Sequence, residues 1–463
     1  MEIEFFGAAK EVTGSCHSLS TKDEKILIDC GFFQGSKDME RLNYENFNFN
    51  PKEYDAMILT HAHLDHCGRL PKLVSQGFRG KIFATAATKD LALVIMLDAA
   101  KIAVEDTGHE NKRRAEQGLP PRKPIYNDTD VRATMKLFVT VKYGEDVKIS
   151  KNIIARFYEA GHILGSACVQ LKVDEKKKKS FVVFSGDLGQ ADAILVKNAQ
   201  PIEKGDYVIV ESTYGDRLHP PIEQRQEELV RIIKESHKKG GKLLIPSFAV
   251  ERAQEIIYCI GNFMRDGLIP KMKVYLDSPM AMRATEVFSK YPEYYNKDVQ
   301  ESIKTKKDPF DFPGLIKTQS VEESKEINTI KEPCIVIAGN GMCTAGRIKH
   351  HIRNSIGNPK NTLLFVGYQV QGTLGYWLKK GEKKVKLLGV QIDVKAKIEA
   401  IDGFSAHADY SGLMKWIESY KPKPKKIFII HGDEEQSEAF SKRLEKSGFK
   451  SCVPSIGDKF EIT

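Results

Sequence analysis

Short apolar, β-branched runs recur along the chain and alternate with segments of helical period, the pattern of α/β architecture. The informative feature is the residue at which each run stops. "EKILID" ends at Asp29, "YDAMILT" runs into His61, "IIARFYEAG" leads to His162 and "SFVVFSG" ends at Asp187. "DYVIV" reaches Glu211, "KIEAIDGFSA" leads to His407 and "KKIFII" to His431. Seven strand-like segments thus deliver an acid or a histidine at or just beyond their carboxyl ends. In open α/β sheets that edge is where loops converge and helix N-termini point inward, so groups placed there are candidates for a site.

Between Glu211 and His407 the strand–helix alternation repeats on its own. "GKLLIPSF" precedes "AVERAQEIIYCIGNFMRDG", "MKVYLDSP" precedes "MAMRATEVFSKY", "PCIVIAGNG" precedes "GRIKHHIRNSIG", and "NTLLFVGY" precedes "GTLGYWLKKG". This block is long enough to fold alone, and its histidines lack strand-end carboxylates. It is expected to be an inserted domain over residues 214–394, with the first domain formed by 1–213 and completed by 395–463.

The densest polar stretch is "THAHLDHCG" (60–68), which crowds His61, His63, Asp65 and His66 into six positions. His61 and His63, two apart, project the same way from extended chain. Asp65 and His66 fall at a turn before the expected helix "GRLPKLVSQG". This differs from H-E-x-x-H, whose histidines share one helical face. Two hydrolytic metal ions about 3.5–4 Å apart need histidine nitrogens, carboxylate oxygens, a bridging carboxylate and an open position for water. The opening motif together with His162, Asp187 and His431 meets that need, and "GDLG" gives Asp187 small neighbours. A dinuclear site is the expectation.

At 463 residues, two domains or so are expected; 41% apolar and 29% charged residues describe a globular, ordered chain. "MEIEFFGAAK" lacks a secretory signal, and the apolar stretch "LALVIMLDAAKIAV" is broken by Asp98 and Lys101 and is too short to span a bilayer. A cytoplasmic location and no membrane partner are expected. The eight cysteines are scattered singly, which fits free thiols in a reducing compartment, with Cys67 outside the ligand set. A net charge of +9 suits a polyanionic partner without specifying one. "DEKKKKS" (174–180) reads as a solvated hairpin turn and "YKPKPKK" (420–426) as a proline-stiffened loop.

"HAHLDH", the histidine of "GHILGS" and the aspartate of "SGDLG" resemble the metallo-β-lactamase superfamily. "ESTYGDR", "GFSAHADYSGL" and "IIHGDE" resemble the further motifs of its nucleic-acid-processing β-CASP branch, as do "IPSFAVERAQE", "AGNGMCTAGR" and "GYQVQGTLG". The likeness covers nearly the whole chain, and the relatives it suggests are the cleavage-and-polyadenylation endonuclease subunit and its prokaryotic counterparts. It implies an αββα sandwich carrying an inserted α/β β-CASP domain, and two Zn2+ per chain. His61, His63 and His162 would hold one zinc and Asp65, His66 and His431 the other, with Asp187 bridging. Asp29 would orient the histidine cluster from behind. His407 would protonate the leaving oxygen, charged and oriented by Glu211; Asp29, Asp65, Glu211 and His407 form the expected catalytic set. Ser247, Phe248, Arg252, Arg347, Tyr368 and Thr373 are expected to contact the substrate, by helix N-termini, charge or stacking. The first strand is expected from residue 2, so the RNA-binding domain ahead of the nuclease in several archaeal relatives is not expected, nor is a long C-terminal oligomerisation device.

The function implied is a zinc-dependent ribonuclease cutting single-stranded RNA, internally in the leading reading, with 5′-phosphate and 3′-hydroxyl products. The alternative is a 5′→3′ exonuclease resembling ribonuclease J. DNA is the weaker substrate because DNA-processing relatives generally lack the histidine here at 431. A small-molecule hydrolase would have no use for the insertion, and a non-catalytic RNA-binding subunit would have lost ligands. A homodimer or an RNA-processing complex is the expected assembly.

Overall fold

The computed structural model describes residues 1–463 except 176, 177, 306, 307 and 368. The chain forms two compact units, Met1–Leu218 with His407–Thr463, and His219–Ala406.

In the first unit, one seven-stranded sheet runs in the order Lys459–Glu461, Glu2–Gly7, Cys16–Ser20, Lys25–Ile28, Ala56–Ile58, Lys81–Thr85, Phe138–Val141. It is antiparallel at its start and parallel from Lys25–Ile28 onward. The other runs Ser451–Cys452, Lys426–Ile430, Tyr207–Glu211, Lys178–Phe184, Ala167–Glu175, Ile153–Glu159, Asp146–Lys148. The sheets bury facing side chains in one core, with Phe5, Ile26 and Ile58 from the first against Phe157, Leu171, Phe184 and Phe428 from the second. Strand Ile153–Glu159 alternates strictly between buried and half-buried positions, while Tyr207–Glu211 is buried throughout. The difference follows from cover: a central parallel strand is enclosed on both faces.

Helices close the outer faces. Leu413, Trp416 and Ile417 of Tyr410–Ile417, with Phe440 and Leu444 of Glu434–Lys446, pack on Val183, Val208, Val210 and Ile429. Helices Leu70–Ser75, Ala86–Glu116 and Asp128–Met135 cover the first sheet with Leu73, Leu91, Ile95 and Val131 buried. This is the αββα sandwich. Among the described residues no helix is long and apolar enough to cross a membrane.

The second unit has six parallel strands in the order Leu315–Lys317, Lys273–Asp277, Cys334–Ala338, Lys242–Pro246, Thr362–Phe365, Lys397–Ala400, beside a hairpin Lys384–Leu387/Val390–Asp393. The four expected helices are present as Arg252–Arg265, Pro279–Lys290, Arg347–Ser355 and Leu374–Lys379. The sequence pattern ends the insertion at 394, but it extends to Ala406. "KIEA" pairs with Thr362–Phe365, in the second unit's sheet, so the first unit resumes only at His407. A strand's period does not reveal which sheet accepts it.

Candidate metal centre

The first unit's strand ends bring the polar groups together. After Lys25–Ile28, Asp29 takes a left-handed turn (φ 60°) that aims its carboxylate at the next strand's loop. Its Oδ1 accepts the Thr60 backbone N–H at 2.8 Å, and its Oδ2 accepts the Thr60 hydroxyl at 2.8 Å. Having given its proton to Asp29, the Thr60 oxygen is left to accept from His61 Nδ1 at 3.1 Å. This hydrogen-bond network assigns the His61 hydrogen to Nδ1 and a lone pair to Nε2. Two other histidines are set in the same way. His66 Nδ1 donates to Asp29 Oδ2 at 2.8 Å. The Thr213 hydroxyl donates to the His431 carbonyl at 3.0 Å and accepts from His431 Nδ1 at 3.1 Å. In each case Nε2 is the ring atom turned to the shared centre.

Three overlapping donor groups result, His61, His63, His162 and Asp187 in one, Asp65, His66 and His431 in another, and Asp187, His407 and His431 in the third, the ligand atoms of each lying within 4.8 Å of one another. His63 Nδ1 is 3.1 Å from His61 Nε2 and 3.0 Å from His162 Nε2. Asp187 divides its oxygens. Oδ2 is 3.4 Å from His61 Nε2 and 3.5 Å from His162 Nε2, whereas Oδ1 is 3.3 Å from His66 Nε2 and 3.6 Å from His431 Nε2. Asp65 Oδ2 is 3.4 Å from His431 Nε2. Ligands about 2.1 Å from a tetrahedral ion lie about 3.4 Å apart, so these spacings fit a bound metal.

The electrostatics agree. Burial, aided by the charge at His66, lowers the His61 pKa to about 3, and burial lowers that of His63 to about 4, leaving neutral imidazoles. Burial opposes charging His66, yet Asp187 and Asp29 hold its pKa well above the usual range. His66 Nε2 and His431 Nε2 are 3.0 Å apart, so a positive charge, proton or metal ion, belongs between them. Burial would raise Asp65, but the His431 hydrogen bond and neighbouring imidazoles hold it well below the carboxylate range. Cys67 is buried and donates to the Ala62 carbonyl at 3.3 Å, outside the cluster.

His407 lies at the rim, its side chain 18% exposed and its backbone bridged to Gly189. Its Nδ1 is 3.0 and 3.1 Å from the two oxygens of Glu211 and 3.9 Å from Asp187 Oδ2. Glu211 is itself fixed, accepting the Leu188 N–H at 2.7 Å and the Thr213 N–H at 3.2 Å. Burial alone would lower the His407 pKa; the Glu211 charge and hydrogen bond raise it to about 9. An imidazolium with Nδ1 anchored carries its second ring proton on Nε2.

The residues expected to contact substrate belong to the second unit and are mostly engaged within it. Ser247 is buried and donates to the Phe248 carbonyl, while Phe248 itself is 47% exposed. Arg252 is buried against Glu255, and Glu251 occupies the N-cap position of the helix it begins without a side-chain capping hydrogen bond, an acid where the sequence suggested a phosphate. Arg347 pairs with buried Asp277 at 2.6 Å and donates to the Thr318 and Gln319 carbonyls. Thr373 caps Leu374–Lys379, accepting from Tyr376 N at 3.2 Å. Tyr368 lies outside the described residues. Sequence reasoning missed Thr60 and Thr213, whose hydroxyls set the histidine tautomers; only their adjacency to His61 and to "EST" could have marked them.

Comparison with known proteins agrees with this geometry. Residues 18–198 match the metallo-beta-lactamase superfamily domain, 253–378 the Beta-Casp domain and 391–454 the Zn-dependent metallo-hydrolase RNA specificity domain. The chain is 37% identical over 458 residues to Ribonuclease TTHA0252 of Thermus thermophilus, covering 99% of each chain. It is 33% identical over 443 residues to Transcription termination factor FttA of Methanocaldococcus jannaschii, covering 94% of this chain and 67% of that one. The same organism's RNase J-like protein is 32% identical, covering 96% of each. A crystal structure of a protein of unknown function from Enterococcus faecalis V583 shares the fold, with a TM-score of 0.54 and 14% identity over 99% of both chains. The chain belongs to the β-CASP family of RNA-processing nucleases within the metallo-β-lactamase superfamily, and is a metal-dependent hydrolase.

Proposed function

We propose that the protein is a zinc-dependent ribonuclease that cuts single-stranded RNA internally and leaves 5′-phosphate and 3′-hydroxyl ends. The observation that carries this reading is the division of the Asp187 oxygens between two imidazole groups, with the His407–Glu211 pair beside them. His61, His63 and His162 would hold one zinc and Asp65, His66 and His431 the second, with Asp187 offering one oxygen to each group. The chemistry such ions would supply is a water acidified towards neutrality and compensation for the charge of a phosphodiester. The chain's own residues do the rest. Asp29, Thr60 and Thr213 fix the ring orientations. Glu211 keeps His407 protonated, and His407 Nε2–H is the proton given to the departing 3′ oxygen. The names of the relatives, a ribonuclease and an RNase J-like protein, support RNA as the substrate. Eight unpaired cysteines support a reducing, cytoplasmic setting.

A circular single-stranded RNA tests the proposal. Linearisation by the wild type, abolished by a zinc chelator and by His407→Ala with both zincs retained, is the expected result. An intact circle beside degradation of a 5′-monophosphorylated linear RNA would replace the endonuclease reading with a 5′→3′ exonuclease.

A further inference from the structure

One segment of the second unit combines aromatic exposure with positive charge and has no part in the metal centre. The helix Leu374–Lys379 buries Leu378 and leaves Trp377 46% exposed, whereas the chain's other tryptophan, Trp416, is 5% exposed. The turn after the helix is fixed by Gly381 N donating to the Leu378 carbonyl at 3.0 Å and Glu382 N to the Trp377 carbonyl at 3.1 Å. It leads into the strand Lys384–Leu387, where Val385 and Leu387 are buried and Lys384 and Lys386 face solvent. Lys379, Lys380, Lys383, Lys384 and Lys386 are all exposed, with Glu382 the one acid among them. Part of this charge is offset: Lys379 pairs with Asp402 at 2.7 Å, and Lys384 lies 3.7 Å from Asp393. Tyr376 meets the indole edge to face at 5.1 Å and carries Lys380 over its own ring.

A solvated lysine face has no need of an exposed indole, and an apolar docking patch for a protein is not ringed by ammonium groups. A single-stranded nucleic acid uses both, because any base stacks on an aromatic face and each phosphate takes a cation. We propose that Trp377 and the lysines of 379–386 form a binding site for single-stranded RNA, with Trp377 stacking one base and Lys383 and Lys386 contacting flanking phosphates. The proposal rests on the RNA reading above and adds a surface that holds the strand by base stacking.

Tryptophan fluorescence tests it directly. In the His407→Ala background, so that the strand stays intact, an oligouridylate should quench the emission, and Trp377→Phe should remove the quenching. Binding followed by anisotropy of labelled RNA should weaken about tenfold in Trp377→Ala, the change that about 1.4 kcal/mol of stacking represents. Lys383→Ala with Lys386→Ala should reduce the salt slope by about 1.4. Trp377→Ala in the active enzyme should raise KM for a long strand and leave kcat unchanged. Anisotropy that reports binding while wild type and Trp377→Phe respond alike in fluorescence would overturn this site and leave the RNA reading standing. Absence of any RNA binding would overturn both.

Discussion

Glu159 ends the strand Ile153–Glu159 three residues before His162, is 2% exposed, and accepts the Gly161 N–H at 3.0 Å. Burial raises its pKa from 4.5 to about 8, with the Gly161 N–H and Lys197 pulling weakly the other way. Below pH 4.5 folded and unfolded chains both hold this proton. Between 4.5 and about 8 the unfolded chain has released it and the folded chain has not, so stability falls as pH rises through that window and levels off above it. At about 1.36 kcal/mol per unit the whole window is worth at most about 5 kcal/mol, and the part above pH 6 about 3 kcal/mol. Glu159→Gln keeps the acceptor for Gly161 and removes the ionisation. Thermal melts at pH 6, 7, 8 and 9, at fixed ionic strength and zinc activity, should therefore show the wild type losing about 6–12 °C more than the variant, at about 2–4 °C per kcal/mol. Groups common to both proteins cancel in that difference. Parallel losses of Tm in the two proteins would refute the assignment of a neutral Glu159.

Other perturbations address the metal centre. Glu211→Gln removes the charge that raises the His407 pKa to about 9; if His407 is the proton donor proposed above, the alkaline limb of the pH–kcat profile should move down by about one unit or more. Thr60→Val and Thr213→Val remove the oxygens that fix His61 and His431, and each should weaken zinc retention about 10–100-fold in chelator competition while the chain stays folded. A Cβ at Gly31 would stand 1.5 Å from the Asp65 carbonyl and 2.4 Å from His66 N, so Gly31→Ala should displace the "HLDH" turn and lower zinc content, measured by elemental analysis. Asp187→Asn should leave fewer than two ions per chain, because one oxygen can no longer serve each donor group.

The strand-end groups were legible because period and position act locally. An apolar run that ends in Asp29, His61, Asp187, Glu211 or His431 reports both a buried strand and the edge at which it stops, and the structure brings these groups together. The opening motif was legible for a related reason. His61 and His63 two apart do face one centre, and the turn expected at Asp65 and His66 is a single helical one, Leu64–Cys67. The second unit's strand–helix units were readable too, since each closes locally on its own sheet position.

What sequence spacing could not carry is whatever depends on a partner distant in the chain. "KIEA" reads like the other strands that lead to site residues, yet it pairs with Thr362–Phe365, and His407 is placed instead by its bridge to Gly189 and the Ala408–Leu188 hydrogen bond at 2.7 Å. Arg347 looks like a cation free for phosphate in the sequence, yet it pairs with Asp277, 70 positions earlier and buried; Arg252 is the opposite case, since its partner Glu255 lies three residues on along the same helix, where an i,i+3 pair is readable. The tautomer locks are the most instructive case. Thr60 and Thr213 lie 153 positions apart, yet each gives its hydroxyl proton to a nearby oxygen and takes one from a histidine Nδ1. The geometry that gathers seven side chains into a candidate metal centre therefore depends on two hydroxyls and one left-handed aspartate as much as on the seven themselves. Because those three act by orienting rings and not by binding, their loss should show first in metal affinity and only afterwards in the fold.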